Sequence, residues 1–142
     1  MSETYDCLKL SNQLCFPLYA ASREINRRYT PLLKELGLTY TQYIAMMVLW
    51  EEKKVTIGEL CKKLFLDTGT LSPMLKGMEE KGYIRRIRDK ADERVVNIEI
   101  TKSGEDLKEK AVSIPAKIGS CINISKDESE SLYKILYKLL DA

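Results

Sequence analysis

The stretch "VTIGELCKKLFLDTGTLSPMLKGMEEKGYIRRIRDKADERVVNIEITKSG", residues 55–104, constrains the fold more than any other part of the chain. Thr56 and Glu59 form a T-x-x-E capping box that opens a short helix running to about Leu64. "LDTG" breaks it. A second helix follows with Leu71, Leu75 and Met78 on one face and Gly82 as its stop. Pro73 is harmless only in a first turn, which puts the helix start between about Thr68 and Thr70. Beyond Gly82 the period changes to two. "YIRRIRDK" and "RVVNIEIT" read as strands around the polar loop "DKADE", with Val96, Ile98 and Ile100 alternating as in a half-buried strand. Two short helices, a tight turn and a basic hairpin, in that order, describe a winged helix-turn-helix.

The flanks are helical. Leu8, Cys15, Leu18, Ile25, Tyr29 and Leu32 recur at helical spacing, which predicts one long helix over about residues 8–35, ending near Gly37. Pro17 kinks that helix unless it lies in the first turn, and either case loosens the backbone around Cys15. "TQYIAMMVLWEE" predicts a second helix after Tyr40. After the hairpin, Leu107, Ala111, Ile114, Ile118 and Cys121 share one stripe of a fifth helix, bent at Pro115. Leu132, Ile135, Leu136, Leu139 and Leu140 mark a last helix, with Ser125 near its start. The chain is expected to be mostly α with a small β-hairpin wing.

Composition removes whole classes of chemistry. The chain has no histidine, so Ser-His-Asp and Cys-His catalysis, HExxH zinc chemistry and histidine pH sensing are excluded. Cys7, Cys15, Cys61 and Cys121 are scattered without a CxxC pair, so neither a metal site nor a disulfide framework is expected, and no cofactor is implied. With 142 residues, 44% hydrophobic and 31% charged, the chain suits one globular domain. No apolar run approaches the roughly 18 residues of a membrane span, and "MSETYDCLKLSN" shows no secretory signal, so a cytoplasmic location is expected. The net charge is only +2, so a nucleic-acid partner must be argued from local arrangement.

That arrangement exists. A reading helix presents its N-terminal residues to base edges, which requires small polar side chains. Here these are Thr68, Thr70 and Ser72, with Lys76 one turn on. Capping and turn roles alone would also place hydroxyls there. The hairpin shifts the balance towards DNA: Arg85, Arg86, Arg88, Lys90 and Arg94 crowd it. Arginine at a hairpin tip suits a narrow minor groove, and Asp92, two residues from Arg94, is placed to orient its guanidinium.

"FLDTGTLSPMLKGMEEKGYIRRIRDKADERVVNIEITKSG" resembles the recognition helix and wing of MarR-type repressors, with "DER" at Asp92–Arg94. "NQLCFPLYAASREINRRYTPLLKELGLTYTQYIAMMVLWE" is similar, more narrowly, to the branch that senses organic hydroperoxides, on "LCF" together with Tyr29 and Tyr40. The resemblance implies a dimeric repressor. Residues of about 1–37 and 102–142 would form the dimerisation helices, and about 38–101 the winged DNA-binding region.

A cysteine on an apolar helical stripe is usually structural, and burial makes it sluggish. Reactivity needs thiolate stabilisation, which a tyrosine hydroxyl or a helix N-terminus can supply. On one continuous helix Tyr29 would stand roughly 21 Å from Cys15. The resemblance implies contact across the dimer instead, with Tyr29 and Tyr40 of one subunit beside Cys15 of the other. It further implies oxidation of Cys15 to a sulfenic acid, resolved in some members by a second cysteine whose placement Cys121 fits. As a stripe residue Cys121 has core as its alternative reading. Cys61 reads as core and Cys7 as part of a frayed terminus. The expected outcome is that reduced dimer holds operator DNA and oxidised dimer releases it. Alternatives are a MarR-type regulator answering other oxidants, electrophiles or a phenolic ligand, a thiol peroxidase, and a DNA-independent interaction module.

Overall fold

In the computed structural model, which describes residues 3–141, the chain opens with two short 3₁₀ turns, Glu3–Leu8 and Leu10–Asn12. The Asn12 amide donates to the Asp6 carbonyl at 2.7 Å, and the Gln13 amide to those of Cys7 and Lys9 at 2.7 and 2.8 Å. Cys7 therefore sits in a hydrogen-bonded turn rather than a frayed end. The first α-helix, α1, spans Cys15–Lys34, so the long helix predicted from residue 8 begins seven residues later. Pro17 is the reason: it is tolerated in the first turn of a helix, where no amide bond is lost. Pro31, inside α1, does remove one such bond.

α2 spans Tyr40–Glu52 and opens on a second capping box, in which Thr39 and Gln42 satisfy each other's backbone amides. A three-residue strand follows, β1 (Lys54–Thr56), which sequence patterning did not show. It is too short to alternate. α3 (Ile57–Leu64) begins at the predicted Thr56–Glu59 box and ends where Phe65 adopts a left-handed φ of 55°. α4 spans Thr68–Glu80 with Asp67 as its cap. Its start lies in the predicted range, yet Pro73 is its sixth residue and falls in the second turn. The Gly69 carbonyl thereby loses its helical donor. At the other end Gly82 takes φ 82°. The Gly82 and Tyr83 amides then reach back to the Glu79 and Met78 carbonyls at 2.9 and 3.1 Å, a Schellman closure.

β2 (Ile84–Arg88) and β3 (Val96–Ile100) form the hairpin, and β1 adds to its far side, giving an antiparallel sheet ordered β1-β3-β2. Arg86 pairs with Ile98, and Ile98 with Val55. β3 is thus central, and its burial departs from strict alternation: Asn97 is buried beside Ile98. The core gathers Ala45, Met46 and Leu49 of α2, Leu60 of α3 and Leu71, Leu75 and Met78 of α4, all at 0% exposure. Each large side chain buried this way contributes roughly 1.5–3 kcal/mol.

The predicted fifth helix is three pieces: α5 (Lys102–Asp106), α6 (Lys108–Ala111) and α7 (Ile114–Cys121). Pro115, second in α7, cannot donate to the preceding turn, so the helix restarts there instead of bending. Leu107, Ala111, Ile114 and Ile118 of the predicted stripe are buried, whereas Cys121 is exposed. The chain divides into two compact units between Val112 and Ser113. The second holds α7 and α8 (Lys126–Asp141), the latter opened by reciprocal bonds between Ser125 and Glu128 at 2.9 and 3.1 Å. The stripe of α8 is amphipathic and largely uncovered: Leu132, Ile135, Leu139 and Leu140 are exposed, and Leu136 is half-buried.

Candidate nucleic-acid interface and thiol site

α4 is held by its buried Leu71–Leu75–Met78 face, so helical geometry turns Gly69, Pro73 and Lys76 outward, with Thr70 and Ser72 on the flanks. Asp67 Oδ1 accepts from the Thr70 amide at 2.7 Å, and this bond with Thr70 holds the Asp67 carboxyl below its ordinary range. Thr70 and Lys76 are exposed and Ser72 half-buried. Thr68 is exposed too, but its hydroxyl lies 3.8 Å from the sulfur of half-buried Cys61 on α3. It therefore joins the two helices rather than standing with Thr70 and Ser72 on the flanks of the outward face.

The wing tip is ordered from within. Asp89 accepts from the amides of Ala91 and Asp92 at 2.8 and 3.3 Å and from the side chain of Asn97 at 3.4 Å. The Ala91 bond is the largest reason its carboxyl is held low. Neither Asp89 nor Asn97 was picked out from the sequence; an aspartate two residues before a turn amide is the signal that would have found the first. Asp92 grips Arg94 as expected: Arg94 Nε and Nη2 donate to its two oxygens at 3.1 and 3.2 Å, and the Arg94 amide donates to Oδ1 at 3.1 Å. These bonds hold Asp92 below its ordinary value. The Arg94 side chain nonetheless stays 90% exposed. Arg88 donates to the Glu93 carbonyl at 2.9 Å, and Lys90 is exposed. Arg86 turns back to Glu79 on α4, 3.1 Å away.

Cys15 is the first residue of α1, exposed, and a free thiol. Leu14 before it offers no side-chain cap, so the N-terminal amides of α1 are left without one. Tyr29 lies about four turns further along the same helix, out of reach of Cys15 within one chain. Tyr29 and Tyr40 do meet, with ring centroids 4.8 Å apart, and Tyr43, which sequence reading passed over, completes the cluster at 5.8 Å from Tyr29. Burial raises all three phenols, and for Tyr29 the neighbouring Tyr40 adds to it, so their hydroxyls stay protonated and able to donate. Alongside runs a groove of about 1130 Å³ lined by Phe16, Tyr19, Arg23, Leu33 and Tyr40 among others. Cys121 closes α7 and is exposed. Among the described residues no cluster of three acidic or cysteine side chains suits a metal ion, and no helix is long and apolar enough to cross a membrane.

Residues 27–111 match the family described as "Transcriptional regulator SarA/Rot". The organic hydroperoxide resistance transcriptional regulator of Bacillus subtilis is 48% identical, covering 99% of this chain and 96% of that one. The chain belongs to the MarR-type transcriptional regulators, in their organic-hydroperoxide branch. Members of this group regulate transcription and are not enzymes. The MarR-type fold agrees with solved structures. Reduced AbfR bound to DNA superposes with a TM-score of 0.80 at 35% identity, covering 94% of this chain and 95% of that one. Disulfide-formed AbfR gives 0.67 at 35%, covering 98% of each. AbfR is a protein of Staphylococcus epidermidis.

Proposed function

We propose that this chain is a cytoplasmic repressor whose reduced homodimer holds operator DNA and releases it when organic hydroperoxide oxidises Cys15. Exposed apolar side chains on the first turns of α1 and along α8 supply the surfaces that a second copy would cover. Residues of about 1–37 and 102–142 would pair the subunits, and about 38–101 would carry the winged DNA-binding region. Thr70, Ser72 and Lys76 would face the major groove, Arg94 the minor groove, with Arg88 and Lys90 towards phosphate and Thr68 behind them.

The observation that carries the sensing role is an exposed free thiol at the uncapped start of α1, in a fold whose protonated Tyr29–Tyr40 pair is out of its reach within one subunit. A second subunit running antiparallel would bring its tyrosines to that thiol. The Cys15 thiolate attacks the peroxide's terminal oxygen, the O–O bond breaks, and the alcohol leaves with a proton. Sulfur is oxidised to the sulfenic acid and the peroxide is reduced. The thiol of the partner subunit's Cys121 then displaces water to form a disulfide. The dimer helices shift, and the two reading helices lose the roughly 34 Å spacing of successive major grooves.

The test is a DNA-binding titration of reduced protein on its own promoter region, repeated with cumene hydroperoxide. Wild type should release the DNA, and Cys15→Ser should bind and ignore the peroxide. A Cys15→Ser protein that still responds would end the reading. Cys121→Ser should form sulfenic acid without a covalent dimer on non-reducing gels. A wild type that stays monomeric on such gels, with Cys121 alkylatable, would make Cys15 a one-cysteine sensor.

A further inference from the structure

Glu79 is an acidic residue in the last turn of α4, where the helix dipole disfavours negative charge, so helix stability gives no reason for it. Its carboxylate takes three donors from one residue of β2. Arg86 Nη2 and Nε reach Oε1 at 3.1 and 3.3 Å, and the Arg86 amide reaches Oε2 at 3.1 Å. The amide bond matters because β2 is an edge strand: the order β1-β3-β2 leaves one side unpaired. The Arg86 amide points to that open side, and Glu79 caps it as a neighbouring strand would. Along β2 only Ile84 is buried, and Arg85 to Arg88 are exposed. Without Glu79 the outer strand would be held only by buried Ile84 and by its pairing to β3, whose own anchors are Asn97 and Ile98, so the far end of the hairpin, which carries Arg94, would swing more freely. Arg86 lowers the Glu79 carboxyl from its ordinary value, as a persistent pairing requires.

We propose that Glu79 and Arg86 form a brace that fixes the wing's angle to the reading helix, making both positioning residues that act on DNA through Arg94. This rests on the DNA-binding reading above. It reverses the sequence-based expectation that Arg86 touches DNA, and it opposes simple electrostatics, in which deleting an acidic side chain strengthens binding to a polyanion.

Affinity is measured by fluorescence anisotropy on the duplex that the reduced wild-type dimer enriches from a random pool, across a salt series. Thermal melting first establishes that each variant folds, with Glu79→Gln as the milder substitute for Glu79→Ala. Glu79→Ala and Arg86→Gln should each weaken binding by about tenfold, within the range of one positioned contact. In an Arg94→Ala background neither should cost more, because the contact they aim is gone. Tighter binding by Glu79→Ala overturns the brace. So does a further loss from Arg86→Gln in the Arg94→Ala background with a salt slope lower by about 0.9, the mark of a direct phosphate contact. Amide exchange without DNA gives an independent reading. The Arg86 amide and the hairpin beyond it should exchange faster in Glu79→Ala, and unchanged rates overturn the brace. If wild type enriches no duplex, the DNA reading fails while exchange still decides the brace.

Discussion

Gly104→Ala should destabilise the protein although the glycine is helical and its φ is ordinary. Gly104 lies in α5, buried, where the chain leaves the wing. A Cβ there would stand 2.4 Å from the Tyr83 carbonyl oxygen, 2.8 Å from Ile100 Cγ1 and 3.3 Å from Met46 Cε. The first neighbour is backbone locked in the turn after α4, so it cannot swing aside; Thr101 N donates to that same oxygen at 3.1 Å. Relief requires α5 to move, which strains the buried bond from Trp50 Nε1 to the Gly104 carbonyl, 2.9 Å long. Overpacking of a close-packed site costs roughly 1–3 kcal/mol. Weakening that bond adds about 1 kcal/mol. Alanine's helix propensity returns up to about 1 kcal/mol. The net loss is about 2 kcal/mol, a fall in melting temperature of roughly 5–10 °C for a chain of this size. Gly58→Ala is the internal control. Its Cβ would meet only Thr56 Oγ1, at 3.9 Å, so it should gain a few tenths of a kcal/mol, up to about 1. Melting both variants at one fixed protein concentration removes the mass-action effect of dimerisation. A Gly104→Ala protein as stable as Gly58→Ala would refute the packing argument.

Thr70→Ala and Ser72→Ala should cost more on operator than on random duplex, whereas Lys76→Ala should weaken both alike and flatten the salt dependence; equal losses for all three would reduce the hydroxyls to positioning roles. Because Arg94 lowers the Asp92 carboxyl, that pair contributes above the unfolded value and is lost only as pH falls through the lower folded one. Carboxyl NMR should give an Asp92 midpoint below 3.8, moving up in Arg94→Ala, and a midpoint at or above 3.8 in wild type would contradict the fork. Tyr29 and Tyr40 run the other way: raised by burial, they contribute below pH 10.0, and the contribution fades as pH rises through their higher folded values. Ultraviolet titration should show phenols ionising late, with fewer of them in Tyr29→Phe and Tyr40→Phe; a single midpoint near 10 would contradict the cluster.

How far the fold was legible depended on whether each feature was local. The Thr56–Glu59 box, the Gly82 stop and the two hairpin strands are set by residues within one turn or one strand of each other, and the structure places them as read. β1 was not, because three residues carry no period and its pairing partner, β3, is remote in sequence. The first helix is shorter than its periodicity predicts for a related reason. Leu8 keeps the helical spacing with Cys15 and remains exposed, but 3₁₀ turns held by Asn12 and Gln13 place it instead. Periodicity registers which residues share a face and does not register a break between Lys9 and Leu14.

At the site, types and spacings revealed donors but not their partners. Asp92 and Arg94 are two residues apart in one turn, so their pairing followed from the sequence. Glu79 and Arg86 are separated by a helix end and a reversal. No i,i+4 rule or strand register joins them; only the left-handed step at Gly82 folds β2 back along α4. Counting cations in the hairpin therefore assigned Arg86 to DNA along with its neighbours. Both guanidiniums hold a carboxylate through Nε and Nη2, but the Arg86 side chain lies against α4 at 34% exposure, whereas that of Arg94 keeps its carboxylate at 90% exposure. That difference, visible only once α4 and β2 are side by side, separates the arginine that aims the wing from the arginine that the wing presents.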